Sequence, residues 1–255
     1  MANIDEGSTS DIRAVARVGQ ICALYGPRVL ELSAADVAER TGLNRTTAYR
    51  YCASMVAAGI LKRGGRRGTF ALGPLMLELG TLALGHHRVV DVAPPHLHKL
   101  SAAVRMTAVL SVRGAAEPVV ALVDEDTSRM VVVTVHPGTK LDASAAQTKL
   151  FLAFDDDGSM MDGLTTGMSP ADRAQLESEV YTARRRGFSF VRPSGGPFVV
   201  AAPVFDENGL CATVAVLGAG DLPDLTPALE QLQATATALS QELGAPRPET
   251  PDADL

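Results

Sequence analysis

One short segment of the chain carries side chains suited to contacting the edges of DNA bases. Its polar members are Arg45, Thr46, Thr47, Tyr49 and Arg50. Arginine can donate two parallel hydrogen bonds to guanine, and threonine can bind a base edge or a phosphate. Asn44, directly before the segment, is a favoured N-terminal cap of a helix, whose free backbone N–H groups attract phosphate. The pattern predicts a helix that enters the major groove.

A second basic segment follows, and its glycines predict a tight hairpin. Two strand-like runs, Ile60–Lys62 and Thr69–Leu72, flank the sequence Gly64-Gly65-Arg66-Arg67-Gly68. The basic side chains of this hairpin are Lys62, Arg63, Arg66 and Arg67. Glycines let the backbone approach a sugar-phosphate chain, and the basic side chains neutralise it.

Charge is distributed unevenly along the 255 residues. The whole chain carries 23 Lys and Arg against 29 Asp and Glu, a formal net charge of −6. Residues 1–75 nevertheless hold ten basic and six acidic side chains, net +4, which leaves −10 for the rest. Residues 44–67 contain six basic side chains and no acidic one. A surface of one sign favours a polyanionic partner, because ordinary solvated faces mix signs.

The local signals around these side chains predict a winged helix-turn-helix. Apolar residues at helical spacing predict a first helix over residues 12–25, and Ser33 with Asp36 forms a capping box that opens a second. Gly42 suits the turn to a third helix over residues 45–58. Two helices joined by a short turn and followed by a basic hairpin have the architecture of a winged DNA-binding domain. The alternative is a helix pair that serves only for packing.

The rest of the chain predicts a linker helix and a mixed α/β domain. Pro74 opens an apolar segment whose leucines fall on more than one face, as expected for packing on a second subunit or, alternatively, within one core. The later elements are a helix over 90–105, strands Ala108–Arg113, Pro118–Asp124 and Met130–His136, helices over 144–154 and 170–186, strands Phe188–Val191, Phe198–Phe205 and Leu210–Leu217, and a helix over 226–243. This order fits an antiparallel sheet flanked by helices.

Patterns for catalysis and for metal binding are weak. His86-His87 and His96-x-His98 could supply imidazole ligands to zinc, but no cysteine lies near enough to complete a set. The three cysteines are far apart, so neither a disulfide framework nor a C-x-x-C motif is expected. No phosphate-binding loop or nucleophile elbow occurs, and no apolar run has the length of a membrane span. We therefore expect no catalytic residue, metal, cofactor or membrane contact, and a cytoplasmic location.

Several segments resemble the IclR-type transcriptional regulators. In the first half they are A-D-V-A-E-R-T-G-L-N-R-T-T-A-Y-R at 35–50, A-A-G-I-L at 57–61, G-T-F-A-L-G at 68–73 and L-E-L-G at 77–80. In the second half they are R-R-R-G-F at 184–188, V-A-A-P-V-F-D at 200–206 and V-A-V-L-G at 214–218. The resemblance covers about residues 11–243, in the family's order.

The resemblance and the residue pattern together predict an α+β chain with five parts. These are a disordered N-terminus (1–10), a winged helix-turn-helix DNA-binding domain (11–73), a linker and dimerisation helix (74–87), a GAF-like mixed α/β effector-binding domain (88–243) and a disordered tail (244–255). The resemblance also implies a homodimer or homotetramer that binds a palindromic operator in double-stranded DNA.

The resemblance further implies an effector pocket between the helix after the third strand and the last strands. The expected lining residues are Ala146, Gln147, Phe198, Val199, Ala215 and Leu217. The family's A-x-x-G-K-A loop reads A-A-Q-T-K-L at 145–150, with Thr148 in place of glycine. The strand positions that hold small carboxylates in some relatives are apolar here, and apolar linings favour apolar ligand surface. We therefore expect a small-molecule effector that is apolar or aromatic rather than a two-carbon acid, or else a pocket without a strong ligand.

Together these observations predict a sequence-specific DNA-binding transcriptional regulator, expected to be a repressor, whose operator binding responds to a small-molecule effector. Two alternatives from other classes stay open. One is a small-molecule enzyme with an accessory helix-turn-helix, and the other is a protein-binding adaptor that uses the same fold for packing.

Overall fold

The chain divides into two compact units, Met1–Leu84 and Gly85–Leu255, in a computed structural model. The structure describes residues 12–127, 133, 135–156, 158–193, 196–219 and 225–246. The N-terminus predicted to be disordered (1–10), most of the corresponding tail and most of the predicted strand at 130–136 lie outside these residues.

The N-terminal unit is a winged helix-turn-helix. Its elements are α1 (Arg13–Cys22), β1 (Leu32–Ser33), α2 (Ala34–Thr41), α3 (Arg45–Ala57), β2 (Leu61–Arg63) and β3 (Thr69–Leu72), followed by α4 (Pro74–Gly85). The strands form an antiparallel sheet in the order β1-β3-β2, in which Phe70 pairs with Leu32 on one side and Arg63 on the other. The two-residue strand β1 has no counterpart among the sequence expectations.

Local signals set the ends of α2 and α3 as predicted. The Ser33 hydroxyl accepts a hydrogen bond from the Asp36 backbone N–H, and the Asp36 carboxylate accepts one from the Ser33 N–H. Gly42 closes α2 in the left-handed conformation, at φ 69°, which glycine adopts without steric cost. Behind these helices lies a core that includes Ile21, Val37 and Phe70.

The C-terminal unit is a mixed α/β domain. Its elements are α5 (Arg88–Val104), β4 (Thr107–Val112), β5 (Val119–Asp124), α6 (Ala146–Ala153), α7 (Ser159–Thr165), α8 (Pro170–Arg186), β6 (Ser189–Val191), β7 (Phe198–Asp206), β8 (Gly209–Gly218) and α9 (Thr226–Glu242). The strands form one antiparallel sheet in the order β5-β4-β8-β7-β6. The order confirms the predicted fold class, a winged helix-turn-helix followed by a mixed α/β domain.

The two faces of this sheet bury different helices. Successive strand residues point to opposite faces of the sheet. On one face, Val200 of β7 and Val214 of β8, with every second residue on either side of them, pack under α5 and α9. On the other face, Val109 of β4 and Ala215 of β8, with every second residue on either side of them, face α6. The helix α5 continues through Pro94-Pro95, as expected from its apolar spacing.

The three cysteines are shielded within these cores. Cys52 is fully buried, and Cys22 and Cys211 are partly buried. Burial raises the pKa of all three thiols, that of Cys211 to about 12. Across the described part of the chain, no helix is long and apolar enough to cross a bilayer.

Candidate functional site

The helix α3 presents the predicted polar face to solvent. The Asn44 side chain accepts a hydrogen bond from the Thr47 backbone N–H at 2.8 Å, which caps the helix. Arg45, Thr46 and Arg50 are exposed, whereas Thr47 is only partly exposed. On the opposite side, Ala48, Cys52 and Met55 are buried in the core of the N-terminal unit. The helix is therefore held by its apolar side, and its basic side is free to meet another molecule.

An arginine connects this helix to the wing. The Arg63 guanidinium lies 4.9 Å from the centre of the buried Phe70 ring and 5.8 Å from that of Tyr49. The Tyr49 ring meets Phe70 edge-on, with the ring centres 6.2 Å apart, and is half exposed. Such contacts between a cation and aromatic faces restrain a side chain that would otherwise move freely. Tyr49 and Arg63 are thus placed side by side at the junction of α3 and β2.

The wing itself carries the remaining predicted basic residues. Lys62 on β2 and Arg66 and Arg67 in the turn are all exposed. The turn is closed by backbone hydrogen bonds from Gly64 N–H to the Thr69 carbonyl and from Thr69 N–H to the Arg66 carbonyl. The structure therefore brings the ten predicted DNA-contacting residues together on one compact unit.

Two residues that the sequence interpretation missed organise this surface. The Glu31 carboxylate lies inside the wing turn, where it accepts hydrogen bonds from the Thr69 hydroxyl and the Gly65 N–H, both at 2.7 Å. These bonds, with weaker ones from Arg66, lower the pKa of Glu31 to about 2. Tyr25 lies beneath the sheet, and its hydroxyl donates to the Phe70 carbonyl at 3.1 Å. Burial raises the pKa of that phenol well above its usual range.

The linker helix α4 is apolar and lies largely exposed among the described residues. None of its residues is buried, and its exposed leucines are Leu77, Leu79, Leu82 and Leu84. The exposed fractions of Leu77 and Leu82 are 73% and 63%. Large exposed apolar patches on proteins often bind a partner, so packing of α4 on a second subunit stays a prediction.

Five of the six predicted effector-lining residues lie on one side of the C-terminal sheet. Ala146 and Gln147 form the first turn of α6 and are buried, and Ala146 packs in the same cluster as Ala215 and Leu217 of β8. Val199 pairs with Leu217 in the sheet and borders that cluster.

Phe198 is the exception, and the structure corrects its predicted place among the effector-lining residues. It precedes Val199 on β7, so its side chain points to the opposite face and packs in the cluster under α5 and α9. Its ring fills the space that a Cβ atom on Gly218 would occupy. Phe198 therefore does not line one pocket with the other five residues.

The segment that departs from the family pattern, residues 145–150, forms the start of α6 and is held by contacts to its neighbours. The hydroxyl of Thr148, which stands where glycine was expected, is buried and donates to the Leu141 carbonyl at 2.9 Å. The Lys149 ammonium lies 2.7 Å from the Glu179 carboxylate of α8, and this contact lowers the pKa of Glu179. Lys149 is therefore held by an ion pair to α8.

Two hydroxyls on that same face are buried without a hydrogen-bond partner among the described residues. Ser111 of β4 and Thr213 of β8 are fully buried and stand opposite each other in the sheet register. Ser111 lies two residues from Val109 on β4, and Thr213 lies two residues from Ala215 on β8, so all four side chains share one face. Buried polar groups in native proteins nearly always have a partner, so this pair calls for a water molecule or a ligand atom.

A cavity of about 640 Å³ opens elsewhere in the C-terminal unit, between α9 and the β7–β8 hairpin. Its lining includes Pro203, Phe205, Ala236 and Ser240 and contains none of the six predicted effector residues. The cavity follows from how α9 crosses the sheet, which no local sequence signal indicates.

Two of the four histidines that could have suggested zinc, His96 and His98, are paired with carboxylates. His96 Nε2 lies 2.9 Å from Glu242, and His98 Nδ1 lies 3.4 Å from Asp124. The described residues contain no group of three or more metal-ligating side chains.

Comparisons with known proteins agree with this architecture. The sequence profile of the IclR helix-turn-helix domain matches residues 15–65. The DNA-binding transcriptional repressor YiaJ of Escherichia coli is 25% identical over 226 residues, which are 82% of this chain and 80% of the repressor. An IclR transcriptional regulator from Alicyclobacillus acidocaldarius has the same fold, with a TM-score of 0.70 and 24% identity over 91% of this chain and 99% of its own.

One further solved structure is of an IclR homolog from Microbacterium hydrocarbonoxydans in complex with 4-hydroxybenzoate. It is 22% identical to this chain, with a TM-score of 0.69, and the match covers 90% of this chain and 98% of that one. At that identity the likeness concerns the fold.

Proposed function

Because this chain is an IclR-type transcriptional regulator with a DNA-binding helix-turn-helix domain, we propose that it is a cytoplasmic repressor that binds a palindromic operator and responds to a small-molecule effector. The observation that carries the proposal is the exposed basic face of α3 beside an exposed basic wing. The proposed DNA contacts are Asn44, Arg45, Thr46, Thr47, Tyr49, Arg50, Lys62, Arg63, Arg66 and Arg67.

These residues divide into two roles. Arg45, Thr46 and Arg50 stand on the exposed side of α3, where a helix in the major groove meets base edges, so they choose the sequence. Lys62, Arg66 and Arg67 stand on the wing and meet phosphates, so they supply affinity that depends on salt.

A second copy of the chain accounts for the uncovered linker helix. Burying the leucines of α4 against the same helix of a partner removes apolar surface from water, which stabilises a homodimer. Two recognition helices then read half-sites about one helical turn, ~34–36 Å, apart, which matches a palindromic operator. A tetramer made of two such dimers is the alternative assembly.

The effector is proposed to bind between the first turn of α6, at Ala146 and Gln147, and the sheet face that carries Val199, Ala215 and Leu217. Apart from Gln147 this lining is apolar, which favours an apolar or aromatic molecule. The homolog crystallised with 4-hydroxybenzoate supports an aromatic ligand for this fold.

The orphaned hydroxyls of Ser111 and Thr213 would bind one hydrogen-bonding group of that molecule. Effector binding then favours one of two arrangements of the DNA-binding domains, a coupling typically worth ~1–3 kcal/mol.

Selection of duplexes from a random pool, followed by fluorescence anisotropy, tests the DNA-binding part. Arg45→Ala should weaken binding to the selected operator by ~1–3 kcal/mol and relax the base preference at one position in each half-site. Lys99→Ala, which removes an exposed cation from the C-terminal unit, is the matched control and should leave both unchanged. If the wild-type chain selects no sequence, the proposal fails in favour of an enzyme or adaptor with an accessory helix-turn-helix.

Calorimetry tests the effector class. We expect heat of binding for 4-hydroxybenzoate or a comparable aromatic molecule, and reduced affinity after Thr213→Val. Tight binding of a two- or three-carbon acid would contradict the apolar site.

A further inference from the structure

The wing is assembled around an acidic side chain that lies far away in sequence. Glu31 Oε1 accepts a hydrogen bond from Gly65 N–H at 2.7 Å. Its Oε2 accepts from the Thr69 hydroxyl at 2.7 Å and from Arg66 N–H at 3.3 Å, and Arg66 Nε lies 3.5 Å away. One carboxylate therefore contacts three residues of the turn, 34 to 38 positions along the chain.

The turn has the shape that this carboxylate requires. A Cβ atom on Gly64 would lie 2.8 Å from Glu31 Oε2 and would collide with the Thr69 hydroxyl. A Cβ on Gly65 would lie 3.2 Å from Glu31 Oε1. Glycine at these two positions is thus what lets the acid enter the turn. Only 24% of the Glu31 side chain is exposed.

An acid here works against overall attraction to DNA. A carboxylate beside Arg66 and Arg67 repels phosphate and offsets part of their charge. Binding to any duplex needs only net positive charge, whereas binding to one sequence needs basic groups at fixed positions. By holding the Gly65 and Arg66 amides, Glu31 restricts where the two arginines can be.

We propose that Glu31 is a positioning residue of the wing, which lowers affinity for DNA in general and raises the preference for the operator. The proposal rests on the wing contacting DNA, as set out under the proposed function. It extends that function by assigning specificity to a residue that itself touches no base.

Two substitutions separate charge from position. Glu31→Gln keeps the length of the side chain but removes the charge and replaces one acceptor with an NH₂ group. Glu31→Asp keeps the charge but is shorter and cannot reach the turn in the same way. Glu39→Gln, an exposed acid on α2 of the same unit, is the control for net charge alone.

The first measurement is amide hydrogen exchange of Gly65 and Arg66 in the free protein. Exchange should be slow in wild type and in Glu39→Gln, and faster in both Glu31 variants, because the shorter Glu31→Asp side chain draws its oxygens back from the amides and Glu31→Gln leaves one neutral oxygen for two amides. Unchanged exchange in both Glu31 variants would overturn the proposal, whatever the DNA results.

The second measurement is affinity for the selected operator and for a random duplex. In both Glu31 variants the operator-to-random ratio should fall by about tenfold, a small part of the ~10³–10⁷ that separates specific from non-specific binding. Affinity for random duplex should rise only in Glu31→Gln. Faster exchange with an unchanged ratio would refute the role in specificity. If wild type itself binds no duplex, the proposed function fails, and the exchange data still decide whether Glu31 holds the wing.

Discussion

Salt dependence offers a quantitative test of how the wing meets DNA. Replacing both Arg66 and Arg67 with alanine removes two exposed cations from the turn without touching the core. Each phosphate contact contributes ~0.9 to the slope of log K against log salt. For each wing on the duplex, two contacts therefore predict that the slope flattens by up to ~1.8, and a dimer with both wings on the operator doubles this value.

The structure refines this number for the two arginines. The Arg66 side chain is 76% exposed but has the Glu31 carboxylate 3.5 Å from its Nε, so part of its charge is already offset. Per wing, Arg67→Ala alone should flatten the slope by ~0.9, and Arg66→Ala by less, which gives ~1–2 for the pair. With a slope change of ~1.8, the ratio of variant to wild-type affinity changes about 12-fold between about 50 and 200 mM salt.

Fluorescence anisotropy with a labelled operator at several salt concentrations measures the slope directly. The matched control is Lys99→Ala combined with Arg186→Ala, which removes two exposed cations from the C-terminal unit. The control should keep the wild-type slope. An unchanged slope in the wing variant would show that the wing does not contact phosphate, and an equal change in the control would show that the effect reflects net charge only.

Four further variants probe other parts of the structure. Tyr25→Phe removes the hydrogen bond to the buried Phe70 carbonyl and should lower the free energy of unfolding by ~1 kcal/mol in urea titration; an unchanged value would mean that the bond contributes nothing. Thr213→Val removes a buried hydroxyl without a partner among the described residues, so the free energy of unfolding of the ligand-free protein should rise by ~1 kcal/mol. A fall of that size would show that the hydroxyl has a partner in the free protein. Leu82→Glu places a charge on the exposed apolar surface of α4, which opposes packing against a second copy. Sedimentation should therefore report a folded monomer, whereas a persistent oligomer would place the interface elsewhere. Glu31 has a folded-state pKa of about 2 against an ordinary 4.5, so its stabilising effect is complete above pH 4.5 and lost as the pH falls through 2; Glu31→Gln should abolish that part of the acid dependence in unfolding titrations.

The parts of the fold that follow from neighbouring residues were predictable. The capping box at Ser33, the left-handed turn at Gly42 and the N-cap at Asn44 are all local, because each joins groups within four residues. They place α2 and α3, and the spacing of apolar residues then decides which side of α3 is buried. The exposed basic face could therefore be predicted from sequence alone.

The parts that depend on distant contacts could not be predicted. Nothing near Glu31 in the sequence indicates that its carboxylate enters a turn more than 30 residues later, although the paired glycines of the wing hint at a close approach. Strand alternation, by contrast, follows directly from the sequence, and it separates Phe198 from Val199. The cavity beside α9 and the unpaired hydroxyls of Ser111 and Thr213 depend on how helices cover the sheet.

The shielding of the native thiols makes this chain suited to site-selective labelling. Maleimides and iodoacetamides react with the thiolate, and a raised pKa keeps Cys22, Cys52 and Cys211 protonated at neutral pH. A cysteine introduced by Arg67→Cys would be exposed at the tip of the wing and would react first. A fluorophore attached there would report the approach of DNA without removal of any native cysteine.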